Sequence, residues 1–308
     1  MAYKGFNLTQ MIDTDYLNQL KEGLVAKMVT EGVTTDIVDI IPGVKNAMTL
    51  NLVNNEITVA DGGCGFNPAG DVQLIQKELR VVSKTVQDVL CPADLEKTYL
   101  GTYMRNSKEI PFIEVIADSY VNRIKRWNDQ FIWDGDGSYK GLIETLEDDA
   151  NVISAASEVA SASGALAKMN ALIAKATPEL KTKENKVIFT SFKFYDEYMA
   201  ALRAANLYNL ANTEYKNGSY QTTIPGTDIR LVATVALDNL TNNTIATGVP
   251  IVYTHADNIV VGTDLLNEEE MFDIWYSRDN NEVRVNIQWK IGDNYRFSDT
   301  VVIGYTLS

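Results

Sequence analysis

The chain of 308 residues carries 27 Lys and Arg against 41 Asp and Glu, a formal net charge of −14, with 45% apolar and 22% charged residues. That length holds one large domain or two ordinary ones with a sizeable core. The acidic balance repels phosphate backbones and excludes general nucleic-acid binding, and no apolar run approaches the ~20 residues of a membrane span.

Two cysteines, Cys64 and Cys91, fit a reducing compartment, and one pair makes no disulfide framework. The opening "MAYKGFNLTQMIDTDYL" lacks the apolar core of a secretion signal, so the protein is expected to be made and used inside a cell. Leu17, Leu20, Leu24 and Met28 then recur at helical spacing, with Gly32 as a stop. From residue 45 the texture changes. Two extended-looking arms flank a tip containing Asp61, Gly62, Gly63, Gly65, Phe66, Pro68 and Gly70, which reads as a long β-hairpin with an open end. A two-stranded hairpin is marginal in water, so one this long calls for a partner surface.

"CPADLEKTYLGTYM" reads as a short helix opened by Pro92. The strongest periodic segment follows. Ile116, Tyr120, Ile124, Trp127 and Phe131 predict a one-sided spine helix over residues 111–133, about 35 Å long at ~1.5 Å per residue. Beyond it, residues 141–177 read as a short strand or turn, a polar loop and a helix rich in small residues. "KVIFTSFKFYDEYMAAL" reads as a buried strand leading into a helix. Short strands are expected in "TIPGTDIRLVATVAL" and "VPIVYTHADNIVVGTDL". Val283, Val285, Ile287, Trp289 and Ile291 alternate with polar residues as a strand, and Gly292-Asp293-Asn294 predicts a turn into a second, antiparallel run over 295–305. The fold class is α+β, with at least two lobes.

The turn "DGDG" after the spine helix invites a chemical reading. As a calcium loop starting at Asp134 it has Asp136 and Ser138 at positions three and five. Position six is Tyr139 where glycine is required, and position twelve is Thr145 rather than glutamate. As an acid–base pair, Asp134 and Asp136 have no third group nearby. Gly135 and Gly137 instead suit a corner that closes a helix. The single histidine, His255, ends an apolar run and leaves histidine-dependent catalysis one candidate base. Phosphate-loop, dinucleotide and nucleophile-elbow patterns are absent. No catalytic residue, metal ligand or cofactor is expected.

The succession of parts resembles the major capsid proteins of tailed bacteriophages, the fold named for phage Hong Kong 97. The segments carrying the resemblance are "CPADLEKTYL", "FIWDGDGSYKGLIETL", "VIFTSFKFYDEYMAAL" and "NIVVGTDLLNEEEMFDIWYSRDNNEVRVNIQWKIGDNYRF". The resemblance implies an N-terminal arm (1–40), an extension loop (41–85), a peripheral domain with the spine helix (86–140), an axial domain (141–258) and a closing β region returning to the peripheral domain (259–308). It makes Asp134, Gly135, Asp136 and Gly137 the corner between domains, and the loop tip an intersubunit contact. The implied function is a shell of hexamers and pentamers that encloses double-stranded DNA without reading its sequence. The shell would be assembled in the host bacterial cytoplasm, with a separate scaffolding protein, a portal and decoration proteins as partners and no membrane. The rival readings are an encapsulin-like compartment shell, a non-shell virion part, and a carboxylate-dependent hydrolase using Asp134 and Asp136.

Overall fold

The structure, a computed structural model, describes residues 27–56, 71–91, 112–207, 213–241, 248–264, 272–280 and 282–306. A helical turn at 27–30 and a looped segment lead to β1 (Asp39–Ile41), then to a long hairpin of β2 (Ala47–Glu56) and β3 (Asp71–Arg80). The ladder runs from Ala47 opposite Arg80 to Glu56 opposite Asp71, and no third strand joins it among the described residues. After the single residue Val81 the chain continues as β4 (Val82–Leu90), so hairpin and body share one extended run.

The spine helix α1 (Phe112–Asp134) is followed by α2 (Leu142–Asp148), where the sequence suggested a strand or turn. Leu142, Ile143 and Leu146 are all buried, a helical spacing that a seven-residue window shows only faintly. Next come β5 (Ile153–Ser154), α3 (Ala156–Ser161) and α4 (Ala165–Ala174), the expected small-residue helix broken in two at Gly164. Thr177 caps α5 (Pro178–Thr182) by accepting from the Leu180 amide at 3.2 Å. The buried strand β6 (Lys186–Thr190) enters α6 (Phe192–Ala204) through Ser191, whose Oγ accepts from the Phe194 amide at 3.1 Å. A tight Asn217–Gly218 turn joins β7 (Thr213–Lys216) to β8 (Ser219–Thr223). The remaining strands are β9 (Arg230–Ala233), β10 (Val249–His255), β11 (Ile259–Thr263), β12 (Phe272–Ser277), β13 (Glu282–Tyr295) and β14 (Val302–Thr306).

These strands form two large sheets. The five-stranded one is organised by β13. Its one edge takes β4, from Leu90 opposite Val283 to Val82 opposite Ile291. Its other edge takes β12 and then β11, and β1 adds to β11 in parallel. The seven-stranded sheet has the order β5-β14-β10-β6-β9-β8-β7. Thus β13 and β14 do not form the expected closing pair; they belong to different sheets. The expected turn at Gly292-Asp293-Asn294 is also absent, because β13 runs straight through it. The reason is long-range: a Cβ on Gly292 would sit 1.9 Å from the Arg80 carbonyl oxygen, so glycine serves close strand approach there.

Helix α1 lies on one face of the five-stranded sheet, where Val121, Ile124 and Phe131 join Val285, Ile287 and Trp289 in one buried cluster. Its C-terminal end also reaches the seven-stranded sheet, with the Trp133 and Phe189 rings 5.0 Å apart. On the far face of that sheet Met169, Leu172, Tyr195 and Tyr198 of α4 and α6 pack with Ile188, Leu231 and Tyr253. Strand β6 feeds both cores, Val187 and Phe189 one way and Ile188 the other, as a period of two requires. The spine helix therefore has a different buried face from the expected one. Ile124 and Phe131 are buried, but Trp127 is 38% exposed, and Ala117, Val121, Asn128, Ile132 and Trp133 are inside.

Candidate assembly site

Among the described residues, the outer half of the hairpin carries exposed apolar side chains. Its paired residues Val53 and Leu74 are 52% and 73% exposed, whereas Leu50, Leu52 and Leu79 nearer the base are buried, Leu50 and Leu79 in a cluster with Val44, Val81 and Val260. The base is pinned by a side chain whose sequence context gave no sign of it. Lys77 of β3 reaches into a cup on the body, with its Nζ 3.1 Å from Ser298 Oγ, 3.6 Å from Asp149 Oδ2 and 3.5 Å from the centroid of the Tyr295 ring. Asp149 Oδ2 in turn accepts from Tyr295 and Ser298, each at 2.6 Å. Burial acts to raise the Asp149 carboxyl, but these donors and Lys77 outweigh it and hold it well below its usual range. Beside the cup, Asn294 Nδ2 donates to the Glu78 carbonyl at 2.7 Å. Lys77→Met keeps the packed stem and removes the ammonium. It is expected to broaden the distance distribution between spin labels at Val53→Cys and Asp196→Cys, in a background with both native cysteines replaced. An unchanged narrow distribution contradicts the pinning role.

The DGDG corner follows directly from α1. Gly135 has φ +70°, and a Cβ there would lie 2.1 Å from the Tyr139 carbonyl oxygen, so the chain turns this tightly only without a side chain. The two carboxylates point to different partners. Asp134 is buried and accepts from the amide and hydroxyl of Thr241 at 2.8 and 2.9 Å. Asp136 accepts from the amides of Ser138 and Tyr139 at 3.2 and 3.0 Å, and pairs with Lys84 of β4. Lys84 Nζ also lies 4.9 Å from the centroid of the Phe131 ring. Tyr139 stacks on Phe131 and its hydroxyl takes the Asp293 amide hydrogen at 2.9 Å. The corner thereby ties α1 to β4, to β13 and to the segment after β9. Such a joint is a mechanical device, not a converging acid–base pair.

Residues 28–34 are clamped to the spine helix. Asp129, on the helix, accepts from the amides of Val33 and Thr34 at 3.1 and 2.9 Å; Asn128 Nδ2 donates to the Met28 carbonyl at 3.1 Å; and Trp133 Nε1 donates to Thr34 Oγ1 at 2.8 Å. Burial pushes the Asp129 carboxyl up to about 6, against the pull of the arm amides. A folded-state value above the unfolded one favours the folded state most at low pH, and this contribution is lost as pH rises through about 6. The melting-temperature advantage of the natural chain over Asp129→Asn is therefore expected to shrink between pH 5 and pH 7. A gap independent of pH contradicts this assignment.

Of the residues named from the sequence, Asp61, Gly62, Gly63, Gly65, Phe66 and Pro68 lie outside the described residues, as does Cys64. Cys91 is exposed. His255 is buried, its Nδ1 meets no partner among the described residues, and burial followed by Lys183 lowers its pKa. Among the described residues no three His, Cys, Asp or Glu side chains converge as metal ligands do, and no helix is long and apolar enough to cross a membrane. An open groove of about 300 Å³ on the outer strands of the seven-stranded sheet is lined by Glu214, Lys216, Gln221, Thr223 and Arg230, and Lys216 is paired with Asp36 at 2.5 Å. The sequence reading passed over Lys77, Asp149 and Asp129. It also passed over Val53 and Leu74, although the break in alternation at "LNLV" (50–53) was visible.

The body combines two large sheets, a spine helix and the separate β2–β3 hairpin. No protein-family model matches the chain, and no curated protein matches it. Solved structures do match. The chain is similar to the capsid of an empty GTA particle, with a TM-score of 0.54 at 11% identity over 90% of each chain. It is similar to the satellite phage P4 procapsid that includes the size determination protein Sid, with a TM-score of 0.54 at 9% identity, covering 93% of this chain and 99% of that one. A virus-like particle from Pyrococcus furiosus gives a TM-score of 0.52 at 8% identity, covering 92% and 97%. At such identities the likeness is one of fold. The chain has the Hong Kong 97-type capsid fold over nearly its whole length.

Proposed function

We propose that the chain is the major capsid protein of a tailed double-stranded DNA bacteriophage or prophage, building an icosahedral shell from hexamers and pentamers. The observation that carries this reading is the hairpin: on a fold shared with capsid subunits, a two-stranded ladder exposes an apolar pair that its own body leaves uncovered. In this reading the five-stranded sheet with α1 is the peripheral lobe, the seven-stranded sheet with its helices is the axial lobe, and residues 134–137 are the corner between them. The shell belongs to the virion and is assembled in the host cytoplasm. A separate scaffolding protein, a portal and decoration proteins are the expected partners. A net charge of −14 suits a wall that contains DNA without gripping it. The protein is structural rather than catalytic, since Asp134 and Asp136 are each committed to separate structural partners.

A second reading is a compartment shell of the same fold with protein cargo, because the likeness to solved structures carries the fold and not the contents. Nuclease treatment of particles isolated from producing cells separates the two. Protected double-stranded DNA of uniform length supports the phage shell; protein cargo with no protected DNA overturns it.

A further inference from the structure

The outer strands of the seven-stranded sheet hold the groove of about 300 Å³, and the assembly reading leaves it without a task. Strand register fixes its floor. Glu214 of β7 is opposite Gln221 of β8, Gln221 is opposite Val232 of β9, and Thr223 is opposite Arg230. Directly opposed residues of an antiparallel pair share a face, as do residues two apart on one strand. Glu214, Lys216, Gln221, Thr223 and Arg230 therefore stand on one face, the one on which Val232 joins the core that includes α1.

Two charges in this groove go unanswered. Lys216 is paired with Asp36 at 2.5 Å, and Asp228, just before Arg230 in the chain, is paired with Lys186 at 2.8 Å. Arg230 on β9 and Glu214 on β7 are left without an ion-pair partner among the described residues. On the strand between them, Gln221 is only 8% exposed, yet its side-chain amide makes no hydrogen bond to any described residue. Buried amides normally have partners, so this one presents its donors and acceptor to the groove. The lining thus runs from a guanidinium through a hydroxyl and an amide to a carboxylate. A simple anion at Arg230 would meet the charge of Glu214, whereas a ligand carrying both signs satisfies both ends. Arg230 and Glu214 lie two strands and two residues apart, about 12 Å between Cα atoms at ~4.8 Å per strand and ~3.3 Å per residue. Their side chains occupy part of that span, which leaves room for the roughly 7 Å between the carboxylate carbon and Nζ of an extended lysine.

We propose that this groove binds an ω-ammonium carboxylate, the chemistry of a lysine whose carboxylate is free. Arg230 takes the carboxylate with its planar fork of donors, helped by the Thr223 hydroxyl, and Glu214 takes the ammonium. The Gln221 amide bonds the polar substituent on the ligand's α-carbon. Two sources present this chemistry, the free amino acid and the C-terminal lysine of another chain. The site goes beyond the shell reading and stands independently of it, because one subunit supplies every residue.

The test titrates N-acetyl-lysine against the full-length chain and reads saturable binding by ligand-observed NMR. Two truncated probes run beside it: N-acetyl-norleucine lacks the ammonium, and N-acetyl-lysine amide lacks the carboxylate. Each is expected to bind about tenfold more weakly than N-acetyl-lysine. Arg230→Gln is expected to erase the preference over the amide while keeping the preference over the norleucine compound, and Glu214→Gln to do the reverse. Both substitutions fall at exposed positions, and the probe series on the natural chain decides the matter even if a variant fails to fold. Free lysine and the peptide Gly-Gly-Lys separate the sources: tighter binding of the peptide assigns a chain end, and tighter binding of free lysine assigns the amino acid. Equal binding of the three N-acetyl probes, or no saturable binding of any, overturns the site.

Discussion

Removing residues 58–72 yields a folded monomer that forms no shell. The two halves of this expectation come from different parts of the structure. The monomer folds because Leu50 and Leu79, at the retained base of the hairpin, stay in their cluster with Val44, Val81 and Val260, and because Lys77 remains in its cup. Among the described residues, both large cores are built from other parts of the chain. The shell is lost because assembly multiplies modest contacts, and a subunit held by several neighbours must break all of them to leave. Deleting the tip takes the same contact from every subunit at once, so the effect on particles is all-or-none while the effect on melting is small. Size-exclusion chromatography with light scattering and a thermal melt on the same sample read both. Normal shells from the trimmed chain contradict the role given to the hairpin; an unfolded product contradicts the independence of the body.

Trp133→Ala destabilises the subunit by about 3 to 5 kcal/mol, the range for truncating a buried aromatic. Trp133 is fully buried, packs on Phe189 and donates its indole hydrogen to Thr34, so one side chain joins the spine helix, the seven-stranded sheet and the arm. Its loss removes packing and leaves a buried hydroxyl without its donor, out of a total stability of only ~5–15 kcal/mol. Trp127→Ala is the control. That indole stacks on Phe131 at 5.0 Å and meets Trp289 edge-on at 5.8 Å, but 38% of it faces solvent, and about 1 to 2 kcal/mol is expected. Urea unfolding of soluble subunits separates the two. Equal losses at both positions contradict the buried face drawn for the helix.

The contrast between these tryptophans shows what the sequence could and could not display. The period of the spine helix was legible, because apolar residues every three or four positions need no partner to be seen. Its buried face was not, because two of the inside positions are polar. Asn128 and Asp129 are buried only because Trp289, Met28, Val33 and Thr34, distant along the chain, supply their hydrogen bonds. The corner at residues 134–137 was legible for the opposite reason: its geometry is local, and glycine spacing announces it. Gly292 looked like the same kind of signal and was not, since it answers the close passage of Arg80 across more than two hundred residues. Lys77 reads in sequence as one more solvated charge on a strand, and only the arrival of Asp149, Tyr295 and Ser298 beside it makes it a pin.

Electron microscopy of the purified chain tests the central claim most directly. Closed icosahedral particles, or flat sheets of hexamers, are the expected result, either from the chain alone or on co-expression with a scaffolding protein. A uniform monomer of 34.2 kDa under both conditions would contradict the shell and everything built upon it.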